Sequence, residues 1–112
     1  MPYYHSPMGI TPRQARDAIR ANRNVIILDV RTRQEYQRGY IPGAISLPEG
    51  SLGNHAGRIL PSKSAVIIVY CKSGSRSRRA ANALASMGYT NVYDLGGIEA
   101  WPYDIVSNKW SL

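Results

Sequence analysis

Ala65-Val66-Ile67-Ile68-Val69-Tyr70-Cys71-Lys72-Ser73-Gly74-Ser75-Arg76-Ser77 is the stretch from which the rest of the chain can be read. Four β-branched residues in a row, Val66 to Val69, predict a buried strand that spans Val66 to Tyr70. The alanine-rich stretch after Ser77 predicts a helix. Between the two lies the only cysteine of the chain. Taken alone, a cysteine at the end of a buried strand is most often a small core residue. A loop entering a helix changes that reading, because its backbone N–H groups converge and can hold an anion or favour a thiolate. Cys71 is therefore expected to act as a nucleophile on an anionic substrate. Lys72, Ser73, Gly74, Ser75, Arg76 and Ser77 form the expected substrate-binding loop.

Outward from this stretch, strand and helix signals alternate. Thr11-Pro12-Arg13-Gln14 is a capping box with proline at the first helical position. It predicts a helix that ends near Asn22 or Asn24. Val25-Ile26-Ile27-Leu28 reads as a short buried parallel strand. Thr32-Arg33-Gln34-Glu35 is a second capping box, opening a short helix that stops by Gly39. Ala44 to Leu47 predicts a short strand. Residues 48–64 are weakly patterned, with Leu52, Ile59 and Leu60 as the inward contacts. Ala80, Ala83, Leu84 and Met87 recur at helical spacing, and Gly88 suits the left-handed cap that ends such a helix. Asn91 to Asp94 predicts a last strand, and Ile98 to Trp101 a helical turn. This alternation predicts an α/β sandwich with a mainly parallel sheet, whose ligands sit beyond the carboxyl ends of the strands.

A chain of 112 residues is long enough for one core without disulfide or metal staples. One cysteine allows no internal disulfide. His5 and His55 are far apart in sequence and read as surface histidines, so neither a metal site nor a cofactor is expected. No apolar stretch nears the ~18 residues needed to cross a bilayer, and the first residues lack the pattern of a secretory signal. A cytoplasmic location is expected, with neither membrane nor nucleic acid as partner. The net charge of +7 has two sources. Seven of the fourteen basic residues lie between Arg13 and Arg38, interspersed with acids, and read equally as a solvated surface or a partner patch. Lys72, Arg76, Arg78 and Arg79 have no acid among them and are expected to attract anions. Lys72 itself reads equally as a ligand contact or a solvated side chain. A cation at the position of Arg76 opposes the helix macrodipole by ~0.3–1 kcal/mol, which suggests that it serves the substrate.

Four stretches together resemble the single-domain rhodaneses, the thiosulfate-type sulfurtransferases. They are Leu28-Asp29-Val30-Arg31 with Glu35-Tyr36; Gly39-Tyr40-Ile41-Pro42-Gly43-Ala44-Ile45; Cys71-Lys72-Ser73-Gly74-Ser75-Arg76; and Leu95-Gly96-Gly97-Ile98-Glu99-Ala100-Trp101. The resemblance implies a rhodanese-like three-layer sandwich over residues 8–107, with short tails at 1–7 and 108–112. It implies a five-stranded, mainly parallel sheet with helices on both faces. It also implies sulfur transfer through a Cys71 persulfide, from a small anionic donor such as thiosulfate to cyanide or a thiol, a protein thiol included. The family usually carries His where this chain has Tyr40, a position of structural rather than catalytic character. Asp29 and Arg31 are expected to form ion pairs that brace the loop, Gly96-Gly97 to meet a backbone requirement, and Trp101 to be a core or rim aromatic.

Two other classes compete. Cysteine phosphatases and arsenate reductases also hold an anion over a thiolate, but they need five residues between Cys and Arg. Here four separate Cys71 from Arg76, and Ser77 occupies the position of the longer loop. Mercaptopyruvate-type relatives resemble a loop with Gly after Cys and Thr at its end, which Lys72 and Arg76 do not match. The remaining alternative is a non-catalytic interaction module or a sulfur carrier; many such domains lack the cysteine that this chain has.

Overall fold

Five strands and four α-helices alternate along residues 6–107, the part of the chain described by the computed structural model. They are β1 (Met8–Gly9), α1 (Pro12–Ala21), β2 (Ile26–Asp29), α2 (Arg33–Arg38), β3 (Ile45–Ser46), α3 (Leu52–Ile59), β4 (Val66–Cys71), α4 (Ser75–Ser86) and β5 (Asn91–Gly97). Single 3-10 turns occupy Glu49–Ser51 and Ile98–Ala100. All strand pairs are parallel, in the order β1-β5-β4-β2-β3. The tails expected at 1–7 and 108–112, apart from Ser6 and Pro7, lie outside the described residues, as does His5. Among the described residues, no helix is long and apolar enough to cross a membrane.

The two capping boxes fold as their sequences predict. Thr11 Oγ1 accepts from the Gln14 N–H at 3.1 Å, and Gln14 Oε1 accepts from the Thr11 N–H at 3.0 Å. Thr32 and Glu35 repeat the exchange at 3.2 and 2.9 Å. Each box satisfies two N–H groups that a helix start leaves unpaired. Gly39 ends α2, and Gly88, at φ +99°, follows the end of α4.

Side chains alternate across the sheet and build two cores. On one face Leu28, Val30, Ile67, Val69 and Cys71 pack under α3 and α4 with Leu52, Ala56, Ala80 and Leu84. On the other, Ile27, Ile41, Ala44 and Tyr70 are joined by Ile19 of α1, Tyr36 of α2 and Trp101. Cutting Leu84, fully buried, back to alanine would cost ~2–5 kcal/mol.

The structure corrects four boundaries. Residues 48–64, read as weakly patterned, contain α3. Strand β4 runs on to Cys71, and β5 runs on to Gly97 rather than stopping at Asp94. Helix α4 begins at Ser75, inside the stretch read as loop. The two-residue strand β1 had no signal of its own and pairs with Tyr93 and Asp94.

Candidate active site

Cys71 is the last residue of β4, the central strand, at the carboxyl rim of the sheet. Its side chain continues the row of Ile67 and Val69, and the residue is only 1% exposed. The chain then turns through Lys72, Ser73 and Gly74. Gly74 has φ +119°, a conformation glycine adopts without steric cost. The turn brings the Gly74 N–H within 3.0 Å of Cys71 Sγ. Among the described residues this is the hydrogen bond to the sulfur, so one donor, not the expected ring of donors, is in contact. The N–H groups of Ser75, Arg76 and Ser77 belong to the first turn of α4, which offers them no intrahelical acceptor.

The loop lies on the end of β5. A side chain at Gly97 would place its first carbon 2.3 Å from the Lys72 carbonyl oxygen and 2.7 Å from Ser73 Cα, so only glycine fits there. The Glu99 N–H donates to the same carbonyl at 3.3 Å. The register of β4 against β5 shifts between Val69, opposite Asp94, and Tyr70, opposite Gly96, which leaves Leu95 as an extra residue in a bulge. Gly96, at φ +91°, completes the bulge. Asp94 joins this bulge to the loop. Its Oδ1 accepts from the Gly96 N–H at 3.0 Å and from the Ser77 hydroxyl at 2.7 Å. Ser77 is fully buried, and its Oγ also lies 2.9 Å from the Gly74 carbonyl. The hydroxyl is thus turned into the protein, where it fixes the loop. Asp94, read from sequence only as a strand residue, is the positioning residue that sequence reasoning missed.

The cations around the loop are not as free as their sequence suggests. Arg76 donates to both oxygens of Glu35 at 2.7 and 3.0 Å. Arg79 donates to both oxygens of Glu49 at 2.7 and 3.1 Å. The Arg76 bonds, with support from the Thr32 cap, hold the Glu35 carboxyl at about 2, well below its ordinary range. Arg79 in turn lowers Glu49. Carboxylates distant in sequence therefore neutralise two of the four loop cations, and one of them offsets the macrodipole penalty at Arg76. Lys72 and Arg78 are exposed and enter no ion pair among the described residues. Lys72 borders a cleft of about 330 Å³ together with Arg31, Glu35, Arg38 and Glu99.

Asp29 and Arg31 do pair, but they brace a different segment. Arg31 Nη2 donates to Asp29 Oδ2 and to the Gly39 carbonyl, each at 2.6 Å. The fully buried pair therefore fixes the chain leaving α2 rather than the Cys71 loop. Tyr70 lies beside it, its hydroxyl oxygen accepting from the Ile41 N–H at 3.1 Å. Burial, reinforced by the Asp29 charge, pushes the Tyr70 phenol far up. Tyr40 stacks on Tyr36 with ring centroids 4.2 Å apart, and Tyr36 donates to the Ala44 carbonyl at 2.8 Å. That stack is what this chain builds at its Tyr40 departure. Trp101 packs on the second core and donates to the Asp104 carbonyl.

Known proteins share this fold. The family model described as Rhodanese-like domain matches residues 11–103. Thiosulfate sulfurtransferase PspE of Escherichia coli (strain K12) is 35% identical over 72 residues, covering 64% of this chain and 69% of that protein. The probable adenylyltransferase/sulfurtransferase MoeZ of Mycobacterium tuberculosis is 33% identical over 93 residues. That alignment covers 82% of this chain but 24% of MoeZ, so the chain spans about a quarter of that longer relative. The crystal structure of the Alr3790 protein from Anabaena sp. superposes with a TM-score of 0.81 at 30% identity, covering 88% of this chain and 80% of that one. The stretches at 28–36, 39–45, 71–76 and 95–101 all fall within the matched residues, and by this sequence match and this fold the chain belongs to the rhodanese-like domain family.

Proposed function

We propose that the chain is a sulfurtransferase that moves a sulfane sulfur from thiosulfate, or from a persulfide donor, to a thiophilic acceptor such as cyanide or a small-molecule or protein thiol. The observation that carries this reading is the single thiol at the carboxyl end of the central strand, met by the Gly74 N–H at 3.0 Å where α4 begins. The Cys71 thiolate attacks the outer sulfur of thiosulfate. A Cys71 S–S bond forms, the bond to the sulfonate sulfur breaks, and sulfite leaves with its electron pair. The acceptor then attacks the outer sulfur of the persulfide, and the Cys71 thiolate departs unchanged. Sulfite and thiolate are both competent leaving groups, so no proton shuttle is needed.

The loop from Lys72 to Ser77 serves as the donor site in this reading. The N–H groups at the start of α4 are the donors available to the sulfonate and to the charge that develops on it. Lys72 supplies an exposed cation, whereas Arg76, paired through both Nη atoms with Glu35, serves to fix the start of α4. Ser77 contributes by holding Gly74. The burial of Cys71 favours a small donor. The S–S bond of the persulfide, about 2.05 Å long, carries the reactive sulfur outward, which suits an acceptor that cannot enter the core. A phosphatase reading is disfavoured by the short loop and by the engagement of both Arg76 Nη atoms with Glu35. A second reading, a sulfur carrier whose partner completes the chemistry, is favoured by the similarity to one quarter of a two-activity protein. A thiol that works without a disulfide partner suits the cytoplasm.

Intact mass after incubation with thiosulfate is expected to rise by one sulfur atom and to return on addition of cyanide. Cys71→Ser should gain nothing. A wild-type mass that stays unchanged would overturn thiosulfate as donor, and thiocyanate formation by Cys71→Ser would overturn the role of Cys71.

A further inference from the structure

At the β3 edge of the sheet, a second group of donors gathers that sulfur transfer does not use. A pocket of about 310 Å³ lies between the start of α2, the chain leaving β3 and one face of α3. Arg33, the first residue of α2, lines it together with Ser46, Ser51, His55 and Arg58. No carboxylate appears in that lining among the described residues. His55 and Arg58, three residues apart, share a face of α3. Arg31, Arg76 and Arg79 each hold a carboxylate, whereas neither Arg33 nor Arg58 enters an ion pair among the described residues.

The pocket is set up to donate. Arg58 Nη2 lies 3.2 Å from His55 Nδ1. A guanidinium can only donate, so Nδ1 accepts and the imidazole proton sits on Nε2. The same contact fixes the Arg58 fork. Ser51, whose side chain makes no cap hydrogen bond to α3, adds a hydroxyl to the same lining. Two guanidinium groups, an imidazole N–H and the Ser51 hydroxyl, with no acid in the lining among the described residues, are the complement of a tetrahedral oxyanion.

We propose that this pocket binds the phosphoryl group of a small phosphorylated molecule. Ser46 pairs with Asp29, and Asp29 with Tyr70. Two strand spacings, roughly 10 Å, therefore separate the pocket's edge from β4. Ser46 and Cys71 each end their strands, so the pocket opens at the carboxyl rim that carries Cys71. The site stands whatever group Cys71 transfers.

Residue-resolved NMR of the full-length protein tests this. Inorganic phosphate is titrated at constant pH and ionic strength, and amide shifts are followed at Ser46, Ser51, His55 and Arg58 and over residues 71–77. Saturating shifts at the first group are expected, with the apparent Kd raised roughly tenfold or more by Arg33→Ala or by Arg58→Ala. The dispersion of each variant's spectrum checks that it is folded, and Arg58→Gln serves should Arg58→Ala unfold. Shifts confined to residues 71–77, shifts that grow linearly without saturating, or saturation unaffected in folded variants would overturn the site. A second arm adds phosphatidylglycerol vesicles. A response to vesicles with none to free phosphate would likewise overturn it, in favour of a lipid headgroup.

Discussion

Alanine at Gly97 tests how the end of β5 sets the Cys71 loop. The added carbon would lie 2.3 Å from the Lys72 carbonyl oxygen and 2.7 Å from Ser73 Cα. Comfortable separations are about 3.5–4.0 Å, so the loop backbone has to retreat by about 1 Å. Neither neighbour is a flexible side chain that could swing aside. Gly97 itself sits at φ −101°, which any residue adopts, so the cost is collision and not conformation. Overpacking of this kind costs ~1–3 kcal/mol, and a 1 Å misplacement of a reacting group is worth about 100-fold in rate. Gly96→Ala is the control. Its φ of +91° makes alanine strained, by ~1 kcal/mol, yet nothing among the described residues lies within 4 Å of the added carbon. The assays are urea unfolding, thiosulfate-to-cyanide turnover, and alkylation of Cys71 by iodoacetamide, which reads loop geometry whatever the reaction is. Gly97→Ala is expected to lose about 100-fold in kcat/KM and to change the alkylation rate. Gly96→Ala should lose stability and keep both rates. Wild-type rates and stability in Gly97→Ala would refute the reasoning.

Arg31→Ala leaves the buried Asp29 carboxylate without its partner and is expected to cost ~3–5 kcal/mol in chemical denaturation; a loss below 1 kcal/mol would show that the pair is not the brace of the segment after α2. The Glu35–Arg76 pair stabilises fully above the ordinary carboxylate value of 4.5 and is lost as pH falls toward about 2. Glu35→Gln keeps a capping box, as Gln14 does in α1, and removes the ionisable pair. Its unfolding free energy should fall less steeply between those pH values, and an unchanged acid limb would count against the pair.

Much of the fold was legible because its signals are local. Both capping boxes, the Gly88 cap and the buried run of β4 each lie within a few residues. Helix α3 was not legible. Gly53 and Gly57 interrupt it, and its cap residue Ser51 makes no side-chain bond. Contacts from afar hold it instead. Leu52 and Ala56 bury into the core, and the Tyr89 hydroxyl lies 3.2 and 2.6 Å from the Ala56 and Leu60 carbonyls. The same distinction divides the site. Cys71 and its loop could be found from the strand-loop-helix pattern. The partners that set the loop, Asp94 under Ser77 and Glu35 beside Arg76, are 17 and 41 residues away from them. No local pattern links them. The capping box disclosed one of Glu35's two tasks and could not disclose the other.

The sheet's two edges bear on how the protein behaves when crowded. An open parallel sheet ends in strands whose outer N–H and C=O groups can recruit a neighbouring chain and seed aggregation. Here the edge strands β1 and β3 have two residues each. Pro7 directly precedes one, and Pro48 follows two residues after the other. Proline offers no N–H to a ladder, so strand addition at either edge stops almost where it starts. The apolar runs that would polymerise readily, Ile26 to Leu28 and Val66 to Tyr70, are enclosed in the interior strands. Residues added to lengthen β3, or replacement of Pro48, would open that edge and turn a self-limiting sheet into a template.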